Sequence, residues 1–213
     1  MLNGRRKIKK VKYVFACLRL WCDVERHSQQ VGSDRFVSGY QRSTRFIHPI
    51  DHIKKAVASM KQPSDVVLLS LHWGENWGYA ISAAERDFAH RLIDDAGVDA
   101  IFGHSSHHAK GIEVYQGKLI LYGCGDFLND YEGIGGHEHY RGDLVLMYFP
   151  SFHSLTGRLV QLRMVPMQVH RFQTIHTTPR DNQLLLKTLN REGKQFGTEV
   201  RLKKDGSFRL AWD

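Results

Sequence analysis

The run Val66-Val67-Leu68-Leu69-Ser70-Leu71 constrains this chain more than any other feature. It is continuously apolar and rich in β-branched residues, the pattern of a strand covered on both faces, as parallel strands are. The residues after it fit that reading. Ser82-Ala83-Ala84-Glu85 has the spacing of a capping box, in which serine and glutamate satisfy each other's backbone N–H. The helix it opens carries Phe88, Ala89, Leu92, Ile93 and Ala96 on one stripe, and Gly97 stops it. Val98 to Phe102 then reads as a second short buried strand. Strand, helix and strand in this order predict an α/β layer with a parallel pair.

The rest of the chain extends that layer. Asp51 to Lys61 reads as a helix, with Ile53, Val57 and Met60 on one face and Pro63 ending it. Ile112–Tyr115 and Lys118–Tyr122 flank Gln116-Gly117, a hairpin signal. Further strands are expected over Asp143–Phe149, Arg158–Val169, Val200–Leu202 and Phe208–Trp212, with a helix over Gln183–Leu189. The expected fold is an α/β sandwich on a mixed sheet. Two regions are expected: a poorly patterned basic segment, 1–45, and a folded domain, 46–213.

Length and charge narrow the function. At 213 residues, 42% of them hydrophobic, the chain can bury one substantial core. No apolar stretch is long enough to cross a bilayer. The formal charge of +8 invites a nucleic-acid reading, yet six positive charges fall between Arg5 and Lys12. No alternation of basic and aromatic residues marks a base-stacking surface, so a sequence-specific nucleic-acid partner is not expected. The basic run precedes Tyr13–Leu18 in the manner of a signal peptide, but Arg19 and Asp23–Arg26 interrupt the apolar part and no small-residue cleavage site comes after them. That points to a cytoplasmic location. Cys17, Cys22 and Cys124 form no CxxC pair, which argues against a disulfide framework and a zinc–thiolate site.

Two histidine clusters carry the chemistry. His72-Trp73-Gly74-Glu75-Asn76-Trp77 lies directly after the first buried strand, and Gly103-His104-Ser105-Ser106-His107-His108 directly after the second. Ligands of open α/β sheets bind at the carboxyl ends of parallel strands. His72, His104 and His107 can therefore converge on one point, and neutral imidazoles suit zinc, manganese or iron. Gly74 and Gly103 are expected to let the backbone turn sharply beside them. Glu75 and Asp126 can orient ligand imidazoles from a second layer. His90, His153, His170 and His176 read as ordinary surface residues, with His108, His137 and His139 between the two cases. Trp73 and Trp77 suit either a cleft wall or a core, while Asp130, Glu132 and Arg141 read as surface charges, Arg141 with an option on an anionic substrate.

These motifs carry a resemblance. His72-Trp73-Gly74-Glu75-Asn76-Trp77-Gly78, Gly103-His104-Ser105-Ser106-His107, Ile112–Tyr115 and Leu121-Tyr122-Gly123-Cys124-Gly125-Asp126-Phe127 resemble the closing motifs of the CapA family. That family is linked to poly-γ-glutamate capsule biosynthesis and is placed in the calcineurin-like metallophosphoesterase superfamily. The resemblance runs from about Asp65 onward and implies a metallophosphoesterase-type fold and a two-metal hydrolase acting on an anionic or phosphorylated substrate. It makes His72 the isolated histidine ligand after a strand, and His104 and His107 ligands or catalytic groups of the glycine–histidine motif. Asp126-Phe127 stands where many members have Asn-Phe.

The front-half motifs of that superfamily, a Gly-Asp strand end, an acidic or asparagine ligand and an Asn-His pair, do not occur before Asp65. A bridged metal pair needs carboxylates. The sequence thus leads to an incomplete site holding fewer than two ions, in a truncated or divergent chain or in one completed by another chain. Two alternatives remain: a non-catalytic binding module whose basic N-terminus favours acidic partners, and a serine hydrolase using Ser105, for which the strand-to-helix context is missing.

Overall fold

The structure is a computed structural model that describes the backbone of residues 11–15 and residues 49–63, 65–128 and 134–213. Cys17, Cys22, Asp130 and Glu132 lie outside the described residues. A mixed five-stranded sheet holds β1 (Val11–Phe15), β2 (Val66–His72), β3 (Ala100–His104), β4 (Ile112–Tyr115) and β5 (Lys118–Leu121) in the order β1-β2-β3-β5-β4. Strands β1, β2, β3 and β5 run parallel, and β4 is antiparallel to β5. Helices α1 (Pro49–Met60) and α2 (Ala83–Asp94) cover one face.

The second sheet is antiparallel. It orders β6 (Leu144–Phe152), β7 (Leu159–His170), β10 (Phe208–Trp212) and β9 (Thr198–Leu202), with β8 (Gln173–His176) paired to β7. Helix α3 (Pro179–Gly193) packs with it through Leu185 and Leu189.

The two-residue period of β2 shows how one run serves two layers. Val67, Leu69 and Leu71 are buried against α1 and α2, with Ile101 of β3 and Ile120 of β5. Leu68 points the other way, into a second core that includes Ala100, Leu119, Leu121, Leu162, Met164 and Phe208. The expectation of equal cover on both faces is corrected in degree, since Leu68 and Ser70 remain half-buried. The capping box forms as expected: Glu85 N donates to Ser82 Oγ at 3.1 Å and Ser82 N to Glu85 Oε2 at 2.8 Å.

Several boundaries differ from the sequence reading. β3 begins at Ala100 rather than Val98, because Asp99 is spent on anchoring: its buried carboxylate accepts from Val67 N and pairs with Lys61 and Lys118. Lys118 also donates to the Thr156 carbonyl, tying the β6–β7 turn to the first sheet. Helix α3 starts at Pro179 behind a Thr178 cap and so is longer than its apolar stripe. β1 lies in the segment that showed no element to sequence reading, and β8 was not anticipated.

Candidate functional site

The register of β2 and β3 sets His72 directly opposite His104 at the carboxyl ends of the two strands. Their Nδ1 atoms are 3.3 Å apart and their rings meet edge-on, with centroids 5.3 Å apart. Ser70, two residues back on β2, places its Oγ 3.1 Å from His104 Nε2. Burial, reinforced by the neighbouring His72, lowers the His104 pKa and favours its neutral form.

Glycine at 103 has a different role from the one read in the sequence. Gly103 lies within β3, and a Cβ there would sit 2.4 Å from Trp73 Nε1 and 2.5 Å from the Leu121 carbonyl oxygen. Close packing, not a sharp turn, demands glycine at this position. Gly74 does turn, at φ +70°. Trp73 itself is core: its indole N–H donates to the Tyr122 carbonyl at 3.0 Å and its ring stacks on Tyr122. Tyr122 in turn donates to Glu113, a buried carboxylate that also faces Arg86 and His90.

His107 belongs to a separate constellation. Its Nδ1 lies 2.6 Å from Asp126 Oδ2, and its ring packs against Trp77. Both line a cavity of about 360 Å³ with His137, Arg141 and His170. His137 stacks on Trp77 at 4.3 Å, so Trp77 is a cleft wall where Trp73 is core. Arg141 is no free surface charge. Its guanidinium grips Asp143 with Nε at 2.8 Å and Nη2 at 2.9 Å and reaches Asp181 at the start of α3 at 3.0 Å. Burial opposes the charge on Asp143, but the bonds from Arg141 and Gln168 prevail and lower its pKa.

His108 is buried beneath this wall, between Trp77, Tyr79 and Tyr140. Its Nδ1 meets the Ala109 carbonyl at 3.2 Å, and burial pushes its pKa down to about 4. Glu75 is exposed on the loop after β2. Ser105 sits at φ +119°, and its hydroxyl donates to Asn76 Oδ1 at 2.9 Å and toward the Gly74 carbonyl at 3.4 Å. β3 runs on through a loop to β4 rather than into a helix, so the nucleophile-elbow context is absent there.

The sequence-derived triad therefore divides. His72 and His104 face each other, whereas His107 pairs with Asp126. Among the described residues no group of three His, Cys, Asp or Glu side chains is arranged to hold a metal ion. Of the other cavity residues, His170 reads in the sequence as an ordinary surface histidine and His137 as an intermediate case, because isolated histidines in loops and at an antiparallel strand end carry no periodic signal. Arg141, with its option on an anionic substrate, does line the cavity.

The two layers and the paired histidines at parallel strand ends define an α/β protein with a strand-end imidazole site. Residues 10–131 match the family described as bacterial capsule synthesis protein PGA_cap, and the chain belongs to that family. The matched region begins well before Asp65 and takes in β1 and α1. The chain is 45% identical over 155 residues to a probable polyglutamine synthesis accessory protein of Mycobacterium tuberculosis, covering 73% of this chain and 40% of that protein. It is 30% identical over 156 residues to the PGA biosynthesis protein CapA of Bacillus subtilis, covering 73% of this chain and 35% of that one. With the capsule biosynthesis protein CapA of Bacillus anthracis it shares 31% over 107 residues, 46% of this chain and 26% of the relative. The chain thus spans about two fifths or less of these relatives' length.

Proposed function

We propose that this chain supplies the imidazole half of a metal-dependent, phosphoesterase-type hydrolase site, on a metallophosphoesterase-type α/β sandwich, in a protein of poly-γ-glutamate capsule synthesis. The observation that carries this reading is the 3.3 Å separation of His72 Nδ1 and His104 Nδ1. Two nitrogens bound to one tetrahedral zinc at about 2.0–2.1 Å stand roughly 3.3–3.4 Å apart, so the pair already has the spacing of two ligands. Ser70 beside His104 Nε2 fits as the outer partner that orients a ligand imidazole. A divalent ion (zinc, manganese or iron) held there supplies Lewis acidity toward an anionic substrate.

The remaining work falls to the chain's own side chains. His107 donates a proton to the leaving oxygen, and Asp126 holds its ring. The cavity against Trp77 and His137 holds the body of the substrate. A catalytic zinc takes three protein ligands, so the further ligands come from beyond the described residues or from another chain. The capsule role is carried over from the names of the family and of the relatives.

Metal stoichiometry by elemental analysis tests the reading, with a His72→Ala/His104→Ala control and p-nitrophenyl phosphate as a general phosphoester. Metal that co-purifies and is lost in the control supports it. Metal retained in the control, or phosphoester turnover unaffected by chelation, overturns it.

A further inference from the structure

Across the antiparallel sheet four residues stand abreast. The register pairs Phe149 of β6 with Arg163 of β7, Arg163 with Arg209 of β10, and Arg209 with Arg201 of β9. Directly paired residues of antiparallel strands project to the same face. Their strand neighbours Tyr148, Met164, Phe208 and Val200 point into the core between the sheets, so the row lies on the outer face. This face is remote in kind from the strand-end site and owes nothing to the hydrolase reading.

Like charges directly opposite one another across strands are destabilising, and the fold relieves them only in part. Arg163 lies over the Phe149 ring at 4.3 Å, and Arg201 bonds Glu199 at 2.6 Å. Arg209, the central one, is exposed and makes no hydrogen bond or ion pair among the described residues. Met147 and Phe149, two residues apart on β6, add exposed apolar surface beside the arginines.

Several occupants fit poorly. A second copy would set its own arginines against these in a two-fold contact. The centres of protein–protein interfaces are depleted in charge, whereas here the unrelieved charge is central. Single-stranded nucleic acid needs a series of aromatic platforms for its successive bases, and the row offers a single ring, Phe149. An anionic lipid surface suits both halves: guanidinium groups meet headgroup phosphates while Met147 and Phe149 enter the interfacial layer. We propose that the outer face of the β6-β7-β10-β9 sheet docks on an anionic lipid surface through Arg163, Arg209 and Arg201.

Co-sedimentation of the full chain with vesicles tests this, comparing pure phosphatidylcholine with phosphatidylcholine–phosphatidylglycerol mixtures at low and high salt. Binding is expected only to the mixed vesicles and should weaken with salt. Arg163→Gln/Arg209→Gln should lower partitioning roughly 25-fold, at about fivefold per charge, while Arg163→Lys/Arg209→Lys retains most of it. Phe149→Ser should weaken vesicle binding without changing binding to soluble polyglutamate. A parallel variant with the Arg5–Lys12 charges neutralised separates that basic run from the sheet. Binding that survives the arginine variants and vanishes with the basic run overturns the proposal. So does arginine-dependent binding to polyglutamate or DNA with none to vesicles. Thermal denaturation confirms that the glutamine variant, relieved of repulsion, is folded.

Discussion

Ser70 Oγ lies 3.1 Å from His104 Nε2, on the side of the ring opposite the nitrogen that faces His72. Both ring nitrogens of His104 are therefore engaged, and its orientation is set by a neighbour on the adjacent strand. Partners of this kind are worth about ten- to hundredfold in metal affinity. Ser70→Ala is expected to weaken metal retention by that factor and to leave the unfolding midpoint nearly unchanged. Equilibrium dialysis against a competing chelator measures the first effect and urea denaturation the second.

The buried His108 makes stability pH-dependent. Its folded pKa is pushed down to about 4, chiefly by burial, against an unfolded value of about 6.5. As pH falls through the unfolded value, the unfolded chain takes up a proton that the folded one refuses. Stability is thus fully present above about 6.5 and is lost progressively down to about 4, by a total on the order of 3 kcal/mol. His108→Phe should flatten this part of the profile. Urea unfolding of both proteins across that window isolates the His108 contribution as their difference, and parallel profiles would refute it.

Gly103→Ala should be among the most damaging single-methyl changes in the protein. The added Cβ meets Trp73 Nε1 at 2.4 Å and backbone oxygen of Leu121 at 2.5 Å, and neither the buried indole nor the sheet can yield easily. Overpacking of this kind costs about 1–3 kcal/mol. Gly135→Ala, with nothing among the described residues within 4 Å of the new methyl, is the control and should change stability little. Denaturant midpoints of the two variants decide the matter.

These positions also show what sequence can carry. The paired histidines were legible because a buried β-branched run fixes a parallel strand, and parallel strands deliver their carboxyl-end residues to one edge. His72 and His104 lie opposite each other for that reason. The hairpin at Gln116-Gly117 and the Ser82 capping box are local signals and appear where local chemistry put them. His107 pairs with Asp126, nineteen residues later, its Nδ1 2.6 Å from the carboxylate. The cavity wall is legible only in part, through Trp77, His107 and Asp126. His170 ends a strand of the second sheet and Arg141 is held by Asp181 of α3, so both reach the site only through the docking of layers distant in sequence. The Arg163–Arg209–Arg201 row has the same origin, since only strand register makes the three residues neighbours.

Ser105 separates the metal reading from the serine-hydrolase one. A nucleophilic serine needs a base within hydrogen-bond reach of its hydroxyl. Ser105 Oγ instead donates to Asn76 Oδ1 and toward the Gly74 carbonyl, two acceptors that cannot relay a proton to a leaving group. Its role on this geometry is to pin the Gly74–Asn76 loop against the end of β3. Ser105→Ala should therefore cost about 1 kcal/mol of stability for a lost hydrogen bond, and leave turnover of a phosphoester within about threefold, far from the thousandfold or larger loss that accompanies removal of a nucleophile. Steady-state kinetics on the purified variant, beside His107→Gln as the proton-donor control, gives the answer. A collapse of activity in Ser105→Ala with His107→Gln unaffected would transfer the chemistry from the imidazoles to the hydroxyl.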